Sequence, residues 1–123
     1  MKYLLMIYNN PAQVAEEDAD ALMRGHQQLF RELNDAGKVV SSAALTPPSP
    51  ATTRTLHVRD GGVPAVTDGP FLEAKEYLAG FYLVECDSIE EAVAIARKVP
   101  CSVNGAVEIR PIDQEVTHAV RGD

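Results

Sequence analysis

The fold of this chain can be inferred outward from one apolar run near its start, Tyr3-Leu4-Leu5-Met6-Ile7-Tyr8. The run is apolar without alternation, which is typical of a central strand that is covered on both faces. Asn9-Asn10-Pro11 follows it, and the strand ends there because proline has no amide hydrogen to donate to a neighbouring strand. We therefore place this run in the middle of a sheet.

Two helices are predicted, and the first extends from about Val14 to Ala36 before the natural stop signal Gly37. Its apolar residues recur at the spacing of one helical face, namely Ala15, Ala19, Leu22, Met23, Leu29, Phe30 and Leu33. The second helix opens at the capping box that begins with Ser88 and stops at Pro100. Its predicted apolar face is Ile89, Ala92, Val93, Ala96 and Val99.

Five further strands are predicted, at Lys38–Leu45, Thr53–Arg59, Val63–Thr67, Tyr77–Glu85 and Ala106–Ile112. Asp60-Gly61-Gly62 supplies a hairpin turn, whereas the proline-bearing segment Thr46–Pro50 is expected to be a loop. Gly80, inside a strand, marks either the close approach of another group or a kink.

When the hairpin is set aside, the order is strand, helix, strand, strand, helix, strand, which is the split βαβ arrangement of ferredoxin-like α+β domains. Both helices then cover one face of the sheet. The strands supply more apolar surface than two helices can hide, at Leu4, Met6, Phe81, Leu83, Val107 and Ile109. We therefore expect a homodimer that pairs two open faces. Residues 1–112 are predicted to form one domain, and residues 113–123 a polar, loosely held tail.

Composition excludes several classes of function. The net charge of −7, with eighteen acidic and eleven basic residues, would repel a phosphate backbone, so nucleic acid is not an expected partner. The three histidines share no metal-ligand spacing and no nucleotide-binding motif occurs, so we expect neither a metal nor a cofactor. The apolar runs are too short to span a bilayer, which predicts a cytoplasmic protein without a membrane partner. Cys86 and Cys101 are expected to be reduced thiols without a catalytic role.

The segment most suited to chemistry is Asp68-Gly69-Pro70-Phe71-Leu72-Glu73-Ala74-Lys75-Glu76. Its first three residues predict a tight turn, in which the Asp68 side chain can bond back to turn amides. The turn does not explain the charged residues Glu73, Lys75 and Glu76, which stand between it and the next apolar strand. Lys75 is a candidate to hold an anionic substrate and Glu76 a candidate second acid or base, although solvated charges with local pairing are the more common explanation for such residues.

His26 is the sharpest single candidate, because it lies within the apolar stripe of the first helix. Burial disfavours the imidazolium and a nearby carboxylate favours it, so such a ring can exchange a proton near neutral pH. The alternative is a core histidine bonded to one backbone carbonyl. Asp68 is the candidate partner that would orient the ring, unless its side chain only closes the turn. Asp35 is discounted because it lies out of phase on the same helix.

Other candidates are weaker. Arg54 and Arg110, each flanked by apolar strand residues, either cap carboxylates at a sheet edge or recognise an anion. Tyr8 and Tyr82 stand at the ends of apolar strands and are more typical of a core than of catalysis. Tyr8 and Arg110 are kept with Lys75 and Glu76 as the substrate-binding set.

Several segments together match a family pattern. They are Lys2–Tyr8, Leu45–Pro48, Asp68–Glu76, Leu78–Tyr82 and Val107–Pro111. On these segments nearly the whole chain resembles the YCII-related proteins, and more narrowly the branch named for its Asp-Gly-Pro-Phe motif. The resemblance implies a ferredoxin-like domain that dimerises through its sheet as a dimeric α+β barrel.

The resemblance implies two different functions. Relatives in the wider family resemble small-molecule enzymes that use a His-Asp pair, including one that eliminates chloride from a hydroxylated aromatic. Their corresponding helix carries the histidine, which favours a role for His26. Members of the narrower branch occur beside or fused to sigma factors of the extracytoplasmic type, which implies regulation.

Two hypotheses follow. In the first, the protein is an enzyme without a cofactor that isomerises a small polar or anionic ligand or eliminates a group from it, with His26 and Asp68 as the catalytic pair. In the second, it is a noncatalytic ligand-binding or regulatory module that is associated with a sigma factor.

Overall fold

The computed structural model describes residues 1–10, 16–58, 61–71, 76–101 and 104–121. Its elements in chain order are β1 (Lys2–Asn9), α1 (Glu16–Asp35), β2 (Val39–Ala44), β3 (Arg54–His57), β4 (Ala65–Asp68), β5 (Tyr77–Glu85), α2 (Ile89–Ala96), β6 (Ala106–Pro111) and α3 (Gln114–Arg121). The predicted α+β class is confirmed. The predicted hairpin turn at residues 60–62 lies partly outside the described residues.

The main sheet has four strands in the order β2-β5-β1-β6, and all neighbouring strands are antiparallel. This order is consistent with the ferredoxin-like split βαβ fold that the sequence predicts. The strands β3 and β4 form a separate hairpin, in which Arg54 lies opposite Asp68. The hairpin is thus an insertion between β2 and β5.

Both helices pack on one face of the main sheet, as predicted. The core joins Leu29 and Leu33 of α1 and Ala92 and Ile95 of α2 to alternate strand residues, namely Tyr3, Leu5, Ile7, Tyr82 and Val84. Because strand side chains alternate between faces, this places every second residue of β1 and β5 toward the helices. The core is therefore one layer between the helices and the sheet.

The sequence prediction was wrong about two of the strand residues that it placed on the open face of the sheet. In β1 the buried residues alternate with Leu4, Met6 and Tyr8, which are only half-buried, so one chain covers a single face. Val107 and Ile109 were assigned to the open face, but they lie opposite Ile7 and Leu5 and pack against the helical core. A continuous apolar run does not distinguish two covered faces from one covered and one open face.

The helix ends follow their sequence signals closely. Gly37 takes a positive φ of 70°, and the bonds Gly37 N–H to Asn34 C=O and Lys38 N–H to Leu33 C=O close α1 in a Schellman motif. Ser88 caps α2 by accepting from the Glu91 amide at 3.2 Å. Glu91 also pairs with Lys38, which ties the start of α2 to the start of β2. These contacts confirm the predicted stop of α1 and start of α2.

Two other local predictions can be compared with the structure. The segment after residue 112, predicted as a polar, loosely held tail, contains helix α3, which Asp113 opens by accepting from the Val116 amide at 3.1 Å. In α2 the buried residues are Ala92 and Ile95, whereas Ile89 is exposed at the helix start. Ala92, Ala96 and Val99 of the predicted face do belong to the core, whereas Ile89 was wrongly counted and Ile95 was left out.

No helix in the described part of the chain combines the length and the apolar character needed to cross a membrane.

The alternation of burial on the sheet predicts the effect of truncating a core residue. Leu5→Ala should lower the free energy of unfolding by about 2–5 kcal/mol, because it leaves a cavity beneath both helices. Leu56→Ala is the matched control, since Leu56 is 58% exposed on the hairpin while Leu5 is fully buried. Its effect should stay within about 0.5 kcal/mol. Urea titrations of both variants test this, and equal losses would contradict the assigned core.

Candidate functional site

A cavity of about 860 Å³ lies between α1 and the part of the sheet formed by β2 and β5. Its size falls within the range of small-molecule sites. Most of the described lining residues are apolar, and the polar ones are Asn9, His26, Gln27, Arg31, Ser42, Tyr77 and Tyr82. A mostly apolar hollow with a few polar side chains is the usual form of a ligand site.

Small residues on the strands leave the space for this cavity. Ser42, Ala43 and Ala44 of β2 line it together with Ala79 and Gly80 of β5. A Cβ atom on Gly80 would lie 2.5 Å from the Ala43 carbonyl oxygen, so a larger residue would push the two strands apart. Of the two explanations predicted for Gly80, the close approach of another group is therefore confirmed, and that group is the backbone of β2.

Helix α1 presents two different faces, one to the core and one to the cavity. Leu29 and Leu33 are buried in the core. Met23 and Phe30 line the cavity, where they stay 61% and 39% exposed. The apolar stripe that the sequence assigned to the core thus divides, and half of it forms the open wall of the cavity.

His26 lies at the border between these two faces and is half-buried. Its Nδ1 atom is 2.9 Å from the Tyr82 hydroxyl oxygen, a hydrogen bond that joins α1 to β5. The same hydroxyl can donate to the His26 carbonyl oxygen at 3.3 Å. The two rings stack with their centroids 5.9 Å apart. Tyr82 therefore fixes the imidazole from the core side while both residues line the cavity.

The Tyr82 hydroxyl can serve either protonation state of His26. When Nδ1 is unprotonated, the hydroxyl donates its hydrogen to Nδ1. When Nδ1 carries a proton, Nδ1–H donates a hydrogen bond to the hydroxyl oxygen, and the hydroxyl donates its own hydrogen to the His26 carbonyl oxygen. The ring can thus gain and lose a proton without leaving a buried polar group unpaired.

Burial sets the protonation state of this pair. Desolvation lowers the pKa of His26 below its ordinary value of about 6.5, although the nearby backbone carbonyl of Pro100 opposes the shift. Desolvation also raises the pKa of the Tyr82 hydroxyl above its ordinary value. At neutral pH the site therefore holds a neutral imidazole, which can act as a base, beside a protonated phenol.

Gly25 keeps Pro100 close to His26. A Cβ atom at position 25 would lie 2.6 Å from Pro100 Cγ, so only glycine admits this proline against α1 without a shift. The segment after α2 thereby approaches the helix at the position next to the imidazole. Gly25 is a positioning residue for this part of the site.

Asp68, the predicted partner of His26, has a different partner within the chain. Its carboxylate is 69% exposed and lies 3.1 Å from Arg54 Nε across the hairpin. It is not one of the described residues that line the cavity. The structure therefore brings His26 together with Tyr82 and brings Asp68 together with Arg54, in agreement with the capping role considered for Arg54.

The four predicted substrate-binding residues are dispersed. Lys75 lies outside the described residues. Glu76 is exposed directly before β5, and Arg110 is exposed on β6 opposite Leu4. Tyr8 is half-buried, with its hydroxyl 4.0 Å from the Met6 sulfur. None of the three described residues lines the cavity.

The sequence analysis missed most of the polar wall. Tyr82 was classed as a core residue, which its burial confirms, but its place on the cavity wall was not predicted. Gln27 and Arg31 were not considered, yet they follow Met23 at four-residue steps and share its helical face. Extending the helical spacing to polar residues would have found them.

The described part of the chain offers neither a cluster of metal-ligating side chains nor an activated thiol. There, no three His, Cys, Asp or Glu side chains group closely enough to hold a metal ion. Cys86 is buried, and desolvation raises the pKa of its thiol, which disfavours a thiolate nucleophile.

Comparison with known proteins places the chain in a family. The model of the YCII-related domain matches residues 1–115. An uncharacterised protein of Rhizobium meliloti (strain 1021) is 34% identical over 117 residues, which cover 91% of this chain and 92% of that protein. The narrower branch defined by the Asp-Gly-Pro-Phe motif stays a prediction. The match over almost the full length shows that the chain belongs to the YCII-related domain family.

Proposed function

We propose that this protein is a small-molecule enzyme in which His26 transfers a proton without a cofactor. The observation that carries the proposal is a neutral imidazole on the wall of a cavity of about 860 Å³, hydrogen-bonded to a buried tyrosine. An imidazole with a lowered pKa is unprotonated at neutral pH and serves as a general base. The reaction class is isomerisation or elimination.

Each residue of the pair has its own part in the proposed reaction. His26 removes a proton from an activated carbon of the substrate through Nε2, while Nδ1 keeps its hydrogen and donates it to the Tyr82 hydroxyl oxygen, which holds the ring in place. In an elimination the carbon electron pair then expels a leaving group, whereas in an isomerisation the proton returns to another carbon. We assign ring orientation to Tyr82 in place of Asp68, because Arg54 engages the Asp68 carboxylate.

The cavity also suits the alternative of a noncatalytic ligand-binding or regulatory module. Such a module would bind ligands but would not accelerate proton transfer. The described surface offers no specific argument for a sigma factor as partner. The enzyme hypothesis is preferred because the hydroxyl of Tyr82 can satisfy both protonation states of His26, a property that binding alone does not need.

We also propose that two copies associate through their open sheet faces. Leu4 lies opposite Leu83, and Met6 lies opposite Phe81, which makes a four-residue apolar patch in the centre of the uncovered face. Burying apolar surface contributes about 25 cal/mol for each Å² removed from water. Glu108 and Arg110 flank the patch on β6 and would form its polar rim.

A generic base reaction tests the role of His26. The probe 5-nitrobenzisoxazole loses one carbon-bound proton to a base, its N–O bond breaks, and an absorbing nitrile phenolate is released. We expect the protein to accelerate this reaction over free imidazole at equal concentration and His26→Ala to reduce the rate about 10²-fold or more. His57→Ala is the matched control, because His57 binds Thr67 on the hairpin. Equal rates for the wild type and His26→Ala would contradict the proposal.

The lowered pKa of His26 has a measurable consequence for stability. Its folded-state pKa lies below the value of about 6.5 of an unfolded chain. Its contribution to stability is therefore fully present above pH 6.5 and is lost as the pH falls through the folded value. NMR titration of the ring should give a pKa below 6.5. Denaturant unfolding should show wild type losing stability relative to His26→Gln between pH 7.5 and 5. A ring pKa at or above 6.5 would contradict this account.

Sedimentation equilibrium tests the dimer. The wild type should sediment at twice the mass of one chain at micromolar concentration. Leu83→Glu should shift it to a monomer, because it puts a charge in the centre of the apolar patch. Val66→Glu should leave the mass unchanged, since Val66 is exposed on the hairpin. A monomeric wild type would exclude the proposed interface.

A further inference from the structure

The charges on the cavity wall are unusual for so acidic a chain. The whole chain carries eighteen acidic residues and a net charge of −7. Among the described residues that line the cavity, none is a carboxylate, and the one side chain that is always charged is Arg31. The described part of the wall therefore combines an apolar surface with one side chain that is always positively charged, which favours a ligand that is apolar and anionic.

Arg31 has the geometry needed to bind a carboxylate. Its Nε group donates to the Gln27 carbonyl oxygen at 3.4 Å, one turn earlier in α1. This contact uses the inner nitrogen of the guanidinium, whereas a forked pair with a carboxylate can use the outer nitrogens. Within the described part of the chain, Arg31 forms no ion pair with an acidic side chain.

His26 and Arg31 stand at opposite borders of the cavity face of α1. They are five positions apart, which corresponds to about 7.5 Å along the helix axis and about 140° around it. His26 adjoins the core face, whereas Arg31 is exposed toward solvent. Met23 and Phe30 project between these borders and remain largely open. A ligand in the cavity would thus meet a base at one end, apolar side chains in the middle and a cation at the other end.

We propose that the ligand is an organic acid with an apolar body, and that its carboxylate binds Arg31 while its reacting carbon lies at His26. The inference deepens the proposed function, because it takes the same cavity as the substrate site. Arg31 acts as a substrate-binding residue and not as a base. Its pair with the ligand orients the apolar body along Met23 and Phe30.

A pair of matched probes tests this proposal without knowledge of the natural substrate. The probes are 3-phenylpropanoate and its neutral amide, 3-phenylpropanamide, titrated into the protein at pH 7.5 with binding followed by NMR. The wild type should bind the acid about 3- to 10-fold more tightly than the amide, as expected for a partly exposed charged pair. Arg31→Gln should abolish this preference.

Arg24→Gln is the matched control, because it removes the same charge from the same helix at a position that does not line the cavity. It should keep the preference for the acid. Equal affinities of the wild type for both probes, no binding of either up to about 10 mM, or a preference that survives Arg31→Gln would each overturn the proposal.

The test separates this inference from the proposed reaction. His26→Ala should keep the ratio of acid to amide affinity, because the ratio depends on Arg31. Acid preference in a protein that does not accelerate the elimination of 5-nitrobenzisoxazole would sustain the inference and defeat the proton-transfer role. A protein that accelerates the elimination but binds the acid no more tightly than the amide would defeat the inference about Arg31 and leave the proton-transfer role in place.

Discussion

The hydrogen bond between His26 and Tyr82 is the contact on which the account of this molecule depends. It joins the border of α1 to a buried position of β5 and so marks where the core ends and the cavity begins. On the core side, Leu29 and Leu33 close against the sheet. On the other side, Met23 and Phe30 face open space. An imidazole at this border is dry enough for its pKa to be lowered, yet it still belongs to the wall of the cavity.

The cavity follows from the sizes of side chains rather than from a special loop. A helix and a sheet normally close on each other when both present large apolar residues. Here the helix-facing positions of β2 are the small residues Ser42 and Ala44, which lie opposite Tyr82 and Gly80 of β5, and Gly80 lets the backbones of the two strands approach closely. The proposed binding of an organic acid uses the space that these small residues leave.

The element order and the helix boundaries were predictable because their causes are local. Gly37 and Ser88 stop and start helices through bonds to near neighbours, and periodicity located the strands. The partners in the site were not predictable, since they depend on how distant segments meet. Asp68 was proposed for His26 on chemical grounds, but the hairpin register sets it opposite Arg54, and Tyr82 takes its place. Arg31 was not predicted because the apolar spacing of the helix does not reach a charged residue that shares the face of Met23.

The central claim is that a neutral imidazole shares a cavity with a bound ligand. Acylation by diethyl pyrocarbonate tests this directly, because the reagent attacks unprotonated, reachable imidazoles and each modified histidine can be identified by mass spectrometry. At pH 7, His26 should be modified in the folded protein, and saturating 3-phenylpropanoate should slow its modification while leaving that of His57 unchanged. A His26 that resists the reagent until the protein unfolds, or that reacts equally fast with the probe present, would contradict the account.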